Sequence, residues 1–144
     1  MIKLNNYIEE AWSGVKKQSL KADIEAWCED MGIRNYTINS KGEIDVDGGV
    51  YFNRSTFNTF EELPYKFGKV RGNFSLSDNK NLISLKNCPY FVEHDFSCMD
   101  CSQLESLEGC PKEVLRCFYC NGCKQQFTKE EVKSLCKVKK GIVV

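Results

Sequence analysis

Two pairs of cysteines are the residues whose type and spacing point most directly to chemistry. The pairs are Cys98-x-x-Cys101 and Cys120-x-x-Cys123, and the segment 102–119 lies between them. Four thiolates at such a spacing bind zinc in a tetrahedral site in many small domains. The spacing therefore predicts, as one alternative, a zinc-stabilised adaptor with these four cysteines as its ligands.

Catalysis has little support from the other reactive residues. His94 is the single histidine, and Cys98 lies four positions further along the same predicted strand. At about 3.3 Å per strand residue their side chains would be about 13 Å apart, which is too far for a base and its nucleophile. Cys117, from the next repeat, is a better placed partner for His94. Neither pair has a third orienting group or an oxyanion site, so we expect a protein that is not an enzyme.

Other cofactor motifs are missing from the sequence. The carboxylates that could suggest calcium lack the spacing of a calcium-binding loop; they are Asp45, Asp47, Asp95 and Asp100. No glycine-rich phosphate loop or dinucleotide fingerprint occurs. We therefore expect no cofactor.

Composition limits the classes of partner. The 144 residues include 20 basic and 20 acidic side chains, whereas nucleic-acid binding relies on a surplus of Lys and Arg. No apolar run long enough to cross a bilayer occurs, so no membrane span is expected. The first residues lack the apolar core of a signal peptide, and nine cysteines, an odd number, fit a reducing compartment. These features predict a cytoplasmic protein that binds neither nucleic acid nor membrane.

The elements that must position these residues follow an internal repeat. Matching segments begin at Val70, Val92 and Val114, and the intervals 92 − 70 and 114 − 92 are both 22. Related units at Val46–Phe52 and Val138–Val144 extend the pattern at both ends, where the intervals 70 − 46 and 138 − 114 are both 24. The sequence thus predicts five strand units, each with apolar residues at alternate positions.

The length of the unit and its Leu-x-x-Leu segment are typical of leucine-rich repeats. Such units stack so that parallel strands, about 4.8 Å apart, share one continuous core. We predict an α+β repeat protein, a short leucine-rich-repeat-like solenoid with about five parallel strands, forming a single domain over residues 1–144. Residues 1–34 would form a helical N-terminal cap, residues 35–125 the repeats, and residues 126–144 a C-terminal cap with a helix and the last strand.

Both predicted caps contain helix signals. Two N-terminal helices are expected, a short one around Tyr7–Val15 and a second one with Ser19 as its N-cap. The second helix would have an apolar face that runs from Leu20 to Met31. At the other end, Thr128-Lys-Glu-Glu131 is a capping box for a C-terminal helix.

Several segments resemble a known group of proteins. They are Leu63-Pro64, Ser106-Leu-Glu-Gly-Cys-Pro-Lys-Glu-Val114, Phe118-Tyr-Cys120 and Phe127-Thr-Lys-Glu-Glu-Val132. These segments look like the repeats of small leucine-rich-repeat-like proteins encoded by bacteriophages and prophages. The resemblance implies the solenoid fold and a protein of phage type, and it supplies no catalytic residues. His94 and Arg116 depart from it, because glycine is usual at their positions.

The repeat register gives the paired cysteines a second interpretation. The first cysteine of each pair falls on an inward strand position that other repeats fill with Leu76 or Phe52. The second falls on the position of Asn79, where leucine-rich repeats use Asn or Cys to hydrogen-bond the backbone of the turn. Free cysteine is a small apolar residue with a weak donor, which suits a narrow core. The register therefore favours core and ladder roles over zinc.

The outward face of the predicted strands is the expected binding surface, because aromatic residues and Met are favoured in protein interfaces. The predicted contact residues are Tyr51, Asn53, Arg71, Asn73, Asp95, Met99, Tyr119 and Asn121. We expect a non-catalytic protein-binding module, either monomeric or a small homo-oligomer. The resemblance implies that it inhibits a host protein, such as a defence component, in the host cytoplasm. A virion-associated structural protein is the remaining alternative.

Overall fold

The computed structural model describes residues 2–52 and 60–144, with side chains described from residue 14 onward. The chain divides into two compact units, Met1–Ile33 and Arg34–Val144. Among the described residues, neither helix combines the length and the apolar character that a membrane span requires.

The first unit contains one long helix, α1 (Ile2–Asp30). The prediction of two helices is therefore wrong, and Ser19 lies exposed inside α1 rather than at an N-cap. Gly14, the strongest breaker in the segment, costs a helix only about 1 kcal/mol, whereas proline would stop it. Leu20 is also exposed, while Ile24 and Cys28 are buried. The buried face is thus narrower than the sequence predicted.

The second unit is a solenoid of about four turns, built mainly from parallel strands. In chain order its elements are β1 (Tyr36–Ile38), β2 (Ile44–Val46), β3 (Val50–Tyr51), β4 (Phe67–Val70), β5 (Phe74–Ser75), β6 (Phe91–Val92), β7 (Phe96–Ser97), β8 (Glu113–Val114), β9 (Cys117–Tyr119), α2 (Lys129–Leu135), β10 (Lys137–Val138) and β11 (Gly141–Val143). A first sheet has the spatial order β1-β2-β4-β6-β8-β10, and a second sheet has the order β3-β5-β7-β9-β11. All neighbours are parallel except β1 and β2. The predicted repeat solenoid is confirmed.

Each repeat contributes two short strands instead of the single strand that the sequence predicted. A corner interrupts the chain between them: β4 ends at Val70 and β5 begins at Phe74. Gly72 lies in this corner, and a Cβ atom there would come within 2.6 Å of the backbone carbon of Gly48 on the preceding turn. The close approach of two backbones explains why glycine is needed at this position. The strands on either side of the corner belong to different sheets.

A column of phenylalanine rings fills the core behind the second sheet. Phe74, Phe96 and Phe118 are register partners on successive turns, and all three are fully buried. The ring centroids of Phe74 and Phe96 are 6.1 Å apart and the rings are nearly parallel, while the centroids of Phe96 and Phe118 are 4.9 Å apart. Such pairs add about 0.5–1.5 kcal/mol each beyond the burial of their area. The contacts between these rings thus help to hold successive turns in register.

Thr128 caps α2 as predicted, and its hydroxyl, not its backbone N–H, contacts the Glu131 carboxylate. The Glu131 backbone N–H donates to Thr128 Oγ1 at 3.1 Å, and the Thr128 hydroxyl donates to the Glu131 carboxylate at 3.3 Å. Phe127, just before the cap, and Val132, inside the helix, are both buried. These contacts begin the helix at the residue that the sequence indicated.

Candidate functional site

The second cysteine of each pair belongs to a hydrogen-bond ladder that connects successive turns of the solenoid. Asn79 Nδ2 donates to the Phe52 carbonyl oxygen at 2.6 Å. One turn later, Cys101 Sγ donates to the Leu76 carbonyl oxygen at 3.1 Å. After another turn, Cys123 Sγ donates to the Cys98 carbonyl oxygen at 3.2 Å. Each donor therefore satisfies a carbonyl of the preceding turn, as the repeat register predicted.

The first cysteine of each pair points into the core. Cys98 and Cys120 are buried, like Leu76 and Phe52 at the corresponding positions. Burial raises the pKa of Cys120 to about 12. It also raises the pKa of Cys101, the ladder residue, to about 12. Without a bound metal, these thiols stay protonated at neutral pH.

The four thiols lie near one another without forming a metal site. A hydrogen bond between Cys98 and Cys123 raises the pKa of Cys98 and holds the pKa of Cys123 below its ordinary value. In the part of the chain with described side chains, no three His, Cys, Asp or Glu residues are placed so that they could share a metal ion. The residues present therefore do not fit the zinc-adaptor alternative.

The corner divides the binding face that the sequence predicted as continuous. Arg71 follows β4 and lines a pocket of about 340 Å³ together with Asn35, Asp45 and Lys69 from the first-sheet side. Tyr51 and Tyr119 lie on the second sheet instead. The prediction that Arg71 shares a face with the tyrosines is corrected, because alternation along one straight strand does not continue through a corner.

Two of the predicted contact residues use their side chains to hold the turns together. The Asp95 backbone N–H donates to Asn73 Oδ1 at 2.9 Å, and the Cys117 backbone N–H donates to Asp95 Oδ1 at 3.0 Å. The residues of each pair are one repeat apart, because 95 − 73 and 117 − 95 are both 22. Recurrence of Asn and Asp at the repeat interval was the signal in the sequence for this structural role. His94 lies in the same corner segment and is half-buried.

The remaining predicted residues flank the second sheet. Met99 and Asn121 are half-buried beyond the ends of β7 and β9, and the Asn121 Oδ1 atom is buried without a hydrogen-bond partner among the described residues. Asn53 lies outside the described residues.

One row of outward side chains runs across all five strands of the second sheet. We call it the tyrosine row, and its register partners are Tyr51, Ser75, Ser97, Tyr119 and Val143. Tyr51 is 55% exposed and Val143 is 43% exposed. The Asn73 amide donates to the Tyr51 hydroxyl at 3.1 Å, which orients the ring. The row lies on the outward side of the second sheet, where Ser75, Ser97 and Tyr119 are half-buried.

Hydroxyl groups are linked by hydrogen bonds in the middle of this surface. The Ser77 and Ser97 Oγ atoms are 2.6 Å apart, and the Ser75 hydroxyl donates to Ser77 Oγ at 3.2 Å. Beyond the serines, a hydrogen bond with Cys117 raises the pKa of the Tyr119 hydroxyl. The surface therefore presents a tyrosine on each side of a centre lined with hydroxyl groups, and Val143 ends the row.

Comparisons with models of protein families, with curated proteins and with solved structures find no match to this chain. The tyrosine row combines exposed apolar area with a side chain held by a hydrogen bond.

Proposed function

We propose that this chain is a non-catalytic protein-binding module that holds its partner on the outer face of the second sheet. The observation that carries the proposal is the tyrosine row, which places Tyr51 and Tyr119 three strands apart on one continuous surface. At about 4.8 Å per strand, the two side chains are separated by about 14 Å. Tyrosine provides a large contact area at low entropic cost and is enriched among the residues that dominate binding energy.

The size of the sheet limits the kind of complex. Its strands have two or three residues each, so the flat part is about 20 Å by 10 Å. A standard interface buries about 800 Å² on each partner. The partner must therefore also touch the flanking residues, among them Met99 and Asn121. A complex confined to the row would be weak and transient.

We also propose that the solenoid is of the leucine-rich-repeat type. The repeat period and the Asn79–Cys101–Cys123 ladder support a leucine-rich-repeat-like solenoid. In this proposal α1 and α2 cap the ends of the stack, as terminal helices of solenoids do. The resemblance to small phage-encoded repeat proteins adds the role: inhibition of a host protein, such as a defence component, in the host cytoplasm. This last step is analogy with the resembled proteins.

A double substitution tests the binding surface. The Tyr51→Ala/Tyr119→Ala variant removes both rings; Tyr51 is exposed, Tyr119 is half-buried, and neither belongs to the buried core. We expect the variant to lose its partner in quantitative affinity capture from host extract, with an unchanged circular dichroism spectrum. Leu135→Ala is the matched control, because Leu135 is an exposed apolar residue on α2. Equal capture by the wild-type protein and the double variant would remove the tyrosine row from consideration.

The virion-structural alternative makes a different prediction about assembly. A capsid-type component would associate with itself at micromolar concentration, whereas the proposed module stays a monomer or a small homo-oligomer. Sedimentation velocity over a concentration series distinguishes the two.

A further inference from the structure

A second candidate surface lies on the segments that lead into the first sheet. It is a groove of about 590 Å³, which we call the lysine groove; the residues that matter for its chemistry are Lys66, Lys86, Lys112, Ile83, Tyr90 and Glu108. Its volume is within the range of sites that hold small ligands or short peptide segments. It shares no residue with the tyrosine row.

The charge of the groove differs from that of the whole chain. Three lysines and one glutamate line it, which is a local excess of 3 − 1 = 2 positive charges, whereas the sequence has zero net charge. In the described part of the chain the ion pairs within 4.0 Å are Lys21–Glu25 and Lys124–Glu105. None of the three groove lysines is neutralised by a direct ion pair there.

The lysines differ in how firmly they are held. Lys66 is half-buried, and its ammonium group donates to the Cys88 carbonyl oxygen, so its position is fixed. Burial lowers the pKa of Lys66, while Glu43 nearby opposes that shift. An ammonium group has three donors, so two remain for a ligand. Lys86 and Lys112 are exposed at the rim.

Apolar side chains stand beside the charges. Ile83 is 50% exposed and Tyr90 is 45% exposed. Tyr90 and Lys112 lie on successive turns, because the Lys112 backbone N–H donates to the Tyr90 carbonyl oxygen at 2.9 Å. The two residues are thus about 4.8 Å apart along the solenoid. A ligand that occupies both must combine an apolar side chain with a negative charge.

We propose that the lysine groove binds an extended acidic peptide segment in which Asp or Glu residues flank one aromatic or aliphatic side chain. The carboxylates would pair with Lys86 and Lys112, and the apolar side chain would pack between Ile83 and Tyr90. A polyphosphate or a nucleic acid fits less well, because its phosphate groups would leave the exposed apolar side chains without an apolar contact. Its binding also relies on a larger surplus of positive charge. This inference concerns a second surface and does not depend on the tyrosine row.

Fluorescence anisotropy with the full chain and labelled peptides tests the proposal. The probe is a short peptide of Asp and Glu residues around a central Phe, and its matched control has Asn and Gln at the acidic positions. We expect the acidic probe to bind at least about tenfold more tightly than the neutral one, and to weaken as salt rises from about 50 to about 300 mM. Equal affinity for both peptides, or no binding at millimolar concentration, overturns the proposal.

Substitutions locate the binding to the groove. Lys86→Gln/Lys112→Gln should weaken the acidic probe about tenfold, and Tyr90→Ala should weaken it by a similar factor. Lys139→Gln/Lys140→Gln removes two exposed lysines outside the groove and should leave the affinity unchanged. Unchanged binding by the first double variant, or tighter binding of inorganic polyphosphate than of the peptide, contradicts the assignment. Tyr51→Ala/Tyr119→Ala should keep the peptide affinity, so the two surfaces can fail independently.

Discussion

Asn79 and Cys101 donate to the same carbonyl oxygen although they belong to successive turns. The distance to Leu76 O is 2.6 Å from Asn79 Nδ2 and 3.1 Å from Cys101 Sγ. The two donors are one repeat apart, because 101 − 79 is 22. An amide and a thiol therefore act as donors to the backbone at equivalent positions of this ladder, and this role of the cysteine requires no metal.

Removal of the Asn79 amide should destabilise the fold. Its Nδ2 atom donates to the Phe52 carbonyl as well as to the Leu76 carbonyl, and each such hydrogen bond contributes about 0.5–1.5 kcal/mol net. We expect Asn79→Ala to lower the free energy of unfolding by about 1–3 kcal/mol in urea titrations. Lys80→Ala, at the exposed neighbouring position, should change it by less than about 0.5 kcal/mol. A similar small effect for Asn79→Ala would show that the ladder contributes little.

The exchange of Cys101 for asparagine should be tolerated. Asparagine at this position can repeat what Asn79 does one turn earlier, so Cys101→Asn should cost less than about 1 kcal/mol, the usual net value of one hydrogen bond. Cys101→Ala, which removes the donor, should cost more than Cys101→Asn in the same urea titration. Collapse of the fold in Cys101→Asn would favour a role for the thiol that an amide cannot perform.

Zinc should make no difference to the purified protein. The thiols of Cys101 and Cys123 already donate to backbone carbonyls, and a structural zinc site would contribute about 10 kcal/mol or more to folding. We expect zinc far below one equivalent by elemental analysis and the same melting temperature with and without a chelator. One equivalent of zinc, lost together with the fold on chelation, would restore the adaptor alternative.

The elements that depend on local repetition could be predicted from the sequence. The equal spacing of Phe74, Phe96 and Phe118 indicated the parallel register, and Thr128 with Glu131 indicated the start of α2. Recurrence at one interval carries this information because each turn packs on a copy of itself.

The sequence did not indicate features that occur in a single repeat or that combine segments far apart in the chain. The corner lies at Gly72 in one repeat but at His94 and Arg116 in the next two, so no shared residue type marked it. The lysine groove joins side chains from segments that start far apart in sequence, such as Lys66 and Lys112. The residue pattern of one repeat contains no sign of charges that converge from three turns.

Stability should fall steeply in alkaline solution. Burial raises the pKa values of five cysteines to about 11 or 12: Cys28, Cys101, Cys110, Cys120 and Cys136. In the unfolded chain these thiols ionise near pH 9, so between about pH 9 and 11 the folded state binds more protons and stability decreases as pH rises. Each thiol contributes a loss on the order of 1 kcal/mol per pH unit in that window.

The substitution Cys120→Val isolates the contribution of one thiol to this loss of stability. Cys120→Val keeps the apolar volume of the site and removes the ionisable group. In urea titrations at about pH 8, 9 and 10 we expect its stability to decrease less steeply than that of the wild-type protein, by on the order of 1 kcal/mol per pH unit. Lysines and tyrosines titrate in both proteins, so their contributions cancel in this difference. Parallel pH profiles would show that Cys120 ionises normally in the folded state.

Cys123 should be the ladder thiol that reacts first with an alkylating agent. It is half-buried, whereas Cys101 is buried, and its hydrogen bond with Cys98 lowers its pKa. The thiolate is the reactive form, so iodoacetamide at about pH 7.5 should label Cys123 ahead of Cys101 in a peptide-mass time course. Cys98→Ala removes the stabilising S–H donor and should slow the labelling of Cys123 severalfold at this pH. The difference should shrink as the pH rises further, because a growing fraction of Cys123 is then ionised in both proteins. A Cys98→Ala effect of the same size at every pH would instead indicate a change in access, and the thiol pair would have no influence on reactivity.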